Sequence, residues 1–209
     1  MYLRVMDNGD LHITCPRRVS KAQILAFIRE KEDWIRKTEQ KENRRQEHTL
    51  CGEDGKTACW LGRRLPVIIE KGNECIMIAE EDCIRFIIPD SSPDTIRSVF
   101  YEAAAQQLRI MITDRRNEWD EAICRANGKP LPKITLRWMT SRWGSCTPAK
   151  ASIRISLRLI HYPPVCLDYV LLHEYAHMLI GDHSRRFYAL IGTHMPDYRE
   201  AVRILREQR

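Results

Sequence analysis

The sequence predicts an α+β protein, with short strands gathered in the first 90 residues and helices dominating the rest. Three observations predict it. Apolar residues alternate in short runs broken by Gly and Asn as far as Ile88, then recur at helical spacing from Pro93 to Ile123 and again after Pro164. In addition, 44% apolar and 30% charged residues is an ordinary globular balance, and 209 residues suffice for a sizeable core without covalent staples. The expected organisation is a β-rich region with a basic helix over 1–90, followed by a second domain over 91–209.

The elements follow in order. Leu3 and Val5, then Leu11 and Ile13, alternate across the turn residues Asp7-Asn8-Gly9-Asp10, which predicts a small antiparallel hairpin closed by Pro16. Ser20 can cap a helix in which Ile24, Phe27, Ile28, Trp34 and Ile35 share a face before the charged run from Lys41 to Glu47. Ten Lys/Arg against six Asp/Glu between Arg17 and Glu47 read as a solvated, mixed-sign face. Residues 48–57 are polar and read as a loop. The runs Trp60-Leu61, Leu65 to Glu70, Cys75 to Ile78 and Ile84 to Ile88 then predict a small antiparallel sheet.

Pro93-Asp94 opens a helix of about 30 residues that ends near Asn127-Gly128. Beyond Pro130 and Pro132, Ile134, Leu136 and Trp138 alternate, a loop runs from Met139 to Cys146, and Ile153, Ile155, Leu157 and Leu159 mark a further strand. Pro163-Pro164 ends that strand and pre-sets the first turn of a helix, and the remainder reads as helices interrupted at Gly181 and Pro196.

Eight cysteines without a C-x-x-C pair, and no apolar run long enough for a membrane span or an export signal, point to reduced thiols in a cytoplasmic protein with no membrane partner. The net charge of +6, from 34 basic and 28 acidic residues, permits a nucleic-acid partner without requiring one.

Chemistry concentrates in the run Cys166 to Ile180, which is apolar nearly all round except for His173, Glu174 and His177. Burying three polar groups on such a helix is costly unless something satisfies them. Four residues of α-helix place two imidazoles about 40° apart and about 6 Å along the axis, within reach of one ion. His173-Glu174-x-x-His177 is therefore the H-E-x-x-H arrangement, in which Glu174 is placed beside the ion to take a proton from water rather than to ligate. A catalytic zinc keeps three protein ligands and an open position. The third ligand is expected just past the helix, where Gly181 could turn the chain in the left-handed region and His183 follows, directly before the N-capping Ser184. His194 is the rival.

The ordered motifs R-W-G-S-C at 142–146, an alternating strand ending in Pro163-Pro164, D-Y-V-L-L-H-E-Y-A-H at 168–177, H-S-R-R-F-Y at 183–188 and P-D-Y at 196–198 resemble the YgjP-like metallopeptidase family, related to the SprT and WLM zinc proteases. The strong resemblance covers Leu136 to Tyr198. It implies a zincin-like metallopeptidase domain over 91–209, with His173, His177 and His183 as zinc ligands and Glu174 as catalytic general base. Ser156 stands where many members have Asn, Tyr175 where many have Leu, and Ala149-Lys150-Ala151 lacks a frequent Gly.

In the R-W-G-S-C loop, Trp143 and Cys146 read as packing residues and Gly144 as a tight turn, while Arg142 stands between a surface role and binding a substrate carboxylate or oxyanion. His161, Tyr162 and Tyr198 are candidate transition-state donors. The leading functional reading is a zinc-dependent peptidase acting on a peptide or protein, with the strand Ser152 to Leu159 as the edge that an extended substrate would join. The second reading is a non-enzymatic, nucleic-acid-associated module with a structural zinc. Glu174 separates the two, because a structural site needs no such carboxylate and closes with a fourth ligand, for which Cys146 is the evident donor.

Overall fold

The computed structural model describes residues 1–5, 11–16, 18–36 and 56–207. The turn at Asp7 to Asp10, the charged run Lys41 to Glu47, most of the 48–57 loop and Cys51 lie outside the described residues. By its contacts the chain divides into Met1–Thr49 and Leu50–Arg209.

In the first unit, β1 (Tyr2–Val5) and β2 (Leu11–Thr14) pair antiparallel, with Tyr2 opposite Thr14. Helix α1 (Lys21–Glu30) starts in a capping box: the Ser20 hydroxyl accepts from the Gln23 backbone N–H, and the Gln23 side chain accepts from the Ser20 N–H. Helical conformation resumes over 32–36, where Ile35 is buried.

The second unit begins with β3 (Thr57–Trp60), β4 (Arg63–Lys71), β5 (Ile76–Ala79) and β6 (Ile84–Ile88), in the order β3-β4-β6-β5. The β3–β4 and β5–β6 pairings are antiparallel hairpins, but β4 and β6 run parallel, because β5 folds back on the far side of β6 and leaves it beside β4. This sheet shares one core with the C-terminal helices and belongs with them to the unit Leu50–Arg209. Trp60 packs edge-on to Phe100 at 5.4 Å between ring centroids, and the Leu61 N–H donates to the Ile160 carbonyl at 2.6 Å. Gly62 has φ +81°, and a Cβ there would lie 2.7 Å from Pro163, so the β3–β4 turn lies directly on the chain that enters the motif helix.

Helix α2 (Pro93–Trp119) is capped by Ser92, whose hydroxyl accepts from the Thr95 N–H, and it buries Val99, Phe100, Ala104, Leu108, Met111, Ile112 and Trp119. It does not run unbroken to Asn127. A π-turn (Asp120–Cys124) and a 3₁₀-turn (Arg125–Asn127) follow, ending at Gly128 in the left-handed region. The π-turn turns Asp120 inward, where it accepts a 2.6 Å hydrogen bond from the Tyr175 hydroxyl and pairs with Arg116.

The third sheet contains β7 (Lys133–Arg137), β8 (Gly144–Thr147) and β9 (Ser152–Ser156), in the order β7-β9-β8. β9 is thus the central strand, parallel to β7 and antiparallel to β8, and the expectation that it is a free edge is corrected. The edge beside the motif helix is β8. Helix α3 (Pro164–Ala176) follows a 3₁₀-turn (Leu157–His161) and begins with Pro164 in its first turn, where a missing N–H costs nothing. Helices α4 (Arg185–His194) and α5 (Tyr198–Glu207) pack against it.

Candidate functional site

Helix α3 is buried along nearly its whole circumference through Cys166, Leu167, Val170, Leu171, Leu172, Tyr175 and Ala176. That apolar seat fixes the directions of its polar residues. His173 and Glu174 lie in the last turn, and His177 is the C-cap residue. The chain then tightens: Met178 and Leu179 donate to carbonyls three residues back, and Ile180 donates to Ala176. Gly181 is not in the left-handed region, contrary to expectation, because these tightened bonds already turn the chain. His183 returns towards the helix just before Ser184. Ser184 occupies the N-cap position of α4 but makes no side-chain capping bond.

The structure brings His173, His177 and His183 together, with one ligand atom from each lying within 4.8 Å of the others. The Nε2 atoms of His173 and His183 face each other at 3.0 Å. His177 Nδ1 lies 3.0 Å from the Ile180 carbonyl oxygen, to which it can only donate, so its Nε2 lone pair is free. Tyr169 Oη lies 3.3 Å from His173 Nδ1, and a donating Nδ1–H there leaves the His173 Nε2 as an acceptor as well. Acceptor nitrogens this close repel one another unless a proton or a cation lies between them. Phe187 is buried beneath the cluster, with its ring centroid 4.7–4.9 Å from all three imidazoles. Burial, and then the neighbouring His177 and His183, push His173 down to about 4, and burial also lowers His177, so these two rings are neutral at physiological pH. Three converging imidazole nitrogens form a donor set that suits a zinc-like ion.

Glu174 lies against Gly144 of β8. Its side chain is 5% exposed and occupies the space above Gly144, where a Cβ would stand 2.6 Å from Oε1. Gly144 is therefore small because of this close approach, and not because of a turn with positive φ. Burial pushes the Glu174 carboxyl up to about 8, and the Arg142 guanidinium opposes that rise.

A cavity of about 670 Å³ opens over these residues, lined by Arg142 to Cys146 on the β8 side, by Tyr169, His173, Glu174, His177 and His183, and by Val202, Leu205 and Arg206 of α5. Residues 1–208 match the family model described as YgjP-like, metallopeptidase domain. The chain belongs to the YgjP-like metallopeptidase family. A search of curated proteins finds no match to it.

Within this YgjP-like chain, several candidates from the sequence lie elsewhere. His194 sits at the end of α4, outside the histidine cluster. His161 is a core residue, stacked on Phe100 at 5.5 Å, with Nδ1 3.0 Å from the Cys59 carbonyl and Nε2 3.1 Å from Tyr101 Oη. Tyr162 is buried against Trp143, and Tyr198 stacks between Tyr169 and Tyr188. Cys146 contacts Met178 Sδ at 3.6 Å, and burial, then Glu174, push its thiol up to about 12, a poor state for a metal ligand. Two polar cavity residues escaped the sequence reading, Tyr169 and Arg206. Tyr169 was legible as the position four before His173 on one helix face. Arg206 carried no local signal, because only the packing of α5 brings it to the cavity.

No described helix is long and apolar enough to cross a membrane. The seven described cysteines are all free thiols.

Proposed function

We propose that this chain is a zinc-dependent peptidase with a zincin-like active site, in which His173, His177 and His183 hold the ion and Glu174 is the general base. The observation that supports it best is the convergence of three imidazoles within 4.8 Å beside a buried carboxylate, in a cleft that a substrate can enter. When bound, the zinc supplies Lewis acidity to the scissile carbonyl and to the attacking water. The chain's own residues do the rest. The Glu174 carboxylate accepts the proton of the attacking water and passes it to the leaving nitrogen. Tyr169 and the Ile180 carbonyl orient His173 and His177 with Nε2 forward. The free edge of β8 offers backbone groups that an extended peptide can pair with, and its Gly144 end lies against Glu174.

The packing of Cys146 on Met178 disfavours a structural zinc closed by a fourth ligand, and so favours the peptidase over the nucleic-acid module. Free thiols agree with work in a reducing compartment, for which we propose the cytoplasm. The test is zinc content by mass spectrometry together with hydrolysis of casein or a peptide library. A zinc-free preparation with undiminished hydrolysis overturns the reading.

A further inference from the structure

The charged lining of the cleft is one-sided. Among its lining residues Glu174 is the sole carboxylate, against the guanidinium groups of Arg142 and Arg206. Arg142 belongs to the loop leading into β8 and acts on Glu174, while Arg206 belongs to α5 and acts on Tyr169, which touches His173. The two guanidiniums therefore flank the reactive group from different elements. Some arginines of this unit are held by carboxylates, as Arg115 is by Asp168, Arg116 by Asp120 and Arg203 by Glu207, and neither cleft arginine is among them. Among the described residues, no ion pair ties Arg142 or Arg206, and both are exposed.

The chain segment that carries β7, β8 and β9 has the same sign. From Ala122 to Leu167 there is no Asp or Glu, against eight Lys or Arg. By strand register Lys133, Arg137 and Arg154 share the outer face of the β7-β9-β8 sheet, the face opposite to buried Ile153 and Ile155. A guanidinium fork binds carboxylate or phosphate in two-point fashion.

We propose that the cleft takes a substrate bearing anionic groups next to the bond it breaks, with Arg142 and Arg206 binding the carboxylate or phosphate oxygens of that substrate. Glu174 is held against Gly144, and among the described residues no ion pair joins it to either arginine. The proposal rests on the peptidase reading for the nature of the substrate, and its test reads binding so that the two fail separately.

The experiment titrates the zinc-loaded full chain by calorimetry with short peptides of one sequence whose alternate residues are Glu, Gln or phosphoserine. Wild type is expected to bind a charged peptide at least about tenfold tighter than the Gln peptide, the scale of one charge-assisted hydrogen bond. Arg142→Gln and Arg206→Gln are each expected to lose about tenfold for the charged peptide and to leave the Gln peptide unchanged. Whether Glu or phosphoserine binds more tightly identifies the source of the oxyanion. Equal binding of charged and neutral peptides by wild type, binding of none of them, or a preference that survives the double substitution overturns the proposal. A charged preference without cleavage of the bound peptide refutes the peptidase reading and leaves this one standing.

Discussion

Glu174 fills the place where a side chain on Gly144 would begin: a Cβ would lie 2.6 Å from Oε1 and 2.8 Å from Cγ. Gly144→Ala must therefore move the carboxylate, and not merely its tip. Zinc content is expected to stay at the wild-type level, because no ligand touches Gly144. Hydrolysis is expected to fall by about 10²-fold, the scale of a misplacement of about 1 Å at a reacting group. The added methyl should also cost about 1–3 kcal/mol of stability, seen in chemical denaturation. Full activity in a zinc-loaded Gly144→Ala chain would show that Glu174 is not held for catalysis.

Glu174→Gln keeps the shape of the side chain above Gly144 and removes the base. The variant should bind zinc as wild type does and lose about 10²–10⁴-fold in hydrolytic rate. Loss of zinc in this variant would make Glu174 part of the coordination shell, and unchanged hydrolysis would end the proposed mechanism.

His183 reaches the cluster from the loop after α3, so its removal tests the third ligand without cutting into the buried helix. His183→Ala is expected to lose most of its zinc, measured by metal analysis after dialysis. In wild type, chelation should lower the melting temperature, since free zinc at about 100 times its dissociation constant stabilises by about 2.7 kcal/mol. The melting temperature of His183→Ala should respond little to zinc or to chelator. A fully occupied His183→Ala chain would return the role to another residue.

How much of this was legible in the sequence depends on the range of the interaction. The spacing of His173, Glu174 and His177 is a property of one helix, and His183 lies within one loop of it, so the cluster followed from local geometry. The strand order did not. β9 looked like an edge because it precedes α3, and only the pairing of Lys133 to Arg137 with Ser152 to Ser156 makes it central. Gly144 read as a turn because the carboxylate that demands a glycine there lies 30 positions along the chain. The π-turn at Asp120 was hidden in a continuous helical pattern, and the partner of Asp120, Tyr175, lies on another helix.

That buried pair gives a stability test. Tyr175 Oη donates to Asp120 Oδ1 at 2.6 Å, and Arg116 Nε donates to Oδ2 at 2.9 Å. Tyr175→Phe keeps the ring against Trp119 and deletes only the hydroxyl, leaving Asp120 with one partner fewer. The expected loss is about 1–3 kcal/mol in urea denaturation, with zinc affinity unchanged. A neutral effect would mean that water replaces the hydroxyl at no cost.

The last prediction concerns pH in the metal-free chain, where two neighbouring residues have opposite linkages. Burial lowers His173 to about 4, so between its ordinary value near 6.5 and about 4 the unfolded chain takes up a proton that folded His173 refuses. Its contribution is intact above about 6.5 and is lost as pH falls through that window. Glu174 does the reverse. Burial raises it to about 8, so the folded chain keeps a proton that the unfolded chain releases above about 4.3, and stability is lost as pH rises towards 8. Over the shared window the two nearly cancel, and each shows only when the other is removed. Metal-free Glu174→Gln should therefore gain stability over wild type as pH rises from 5 to 8, because no buried carboxylate has to ionise. Metal-free His173→Gln should gain on wild type as pH falls from 7 to 4.5. Denaturation midpoints measured across that range in the presence of a chelator check both slopes, and parallel curves for the three proteins would mean that neither group is buried as the geometry requires.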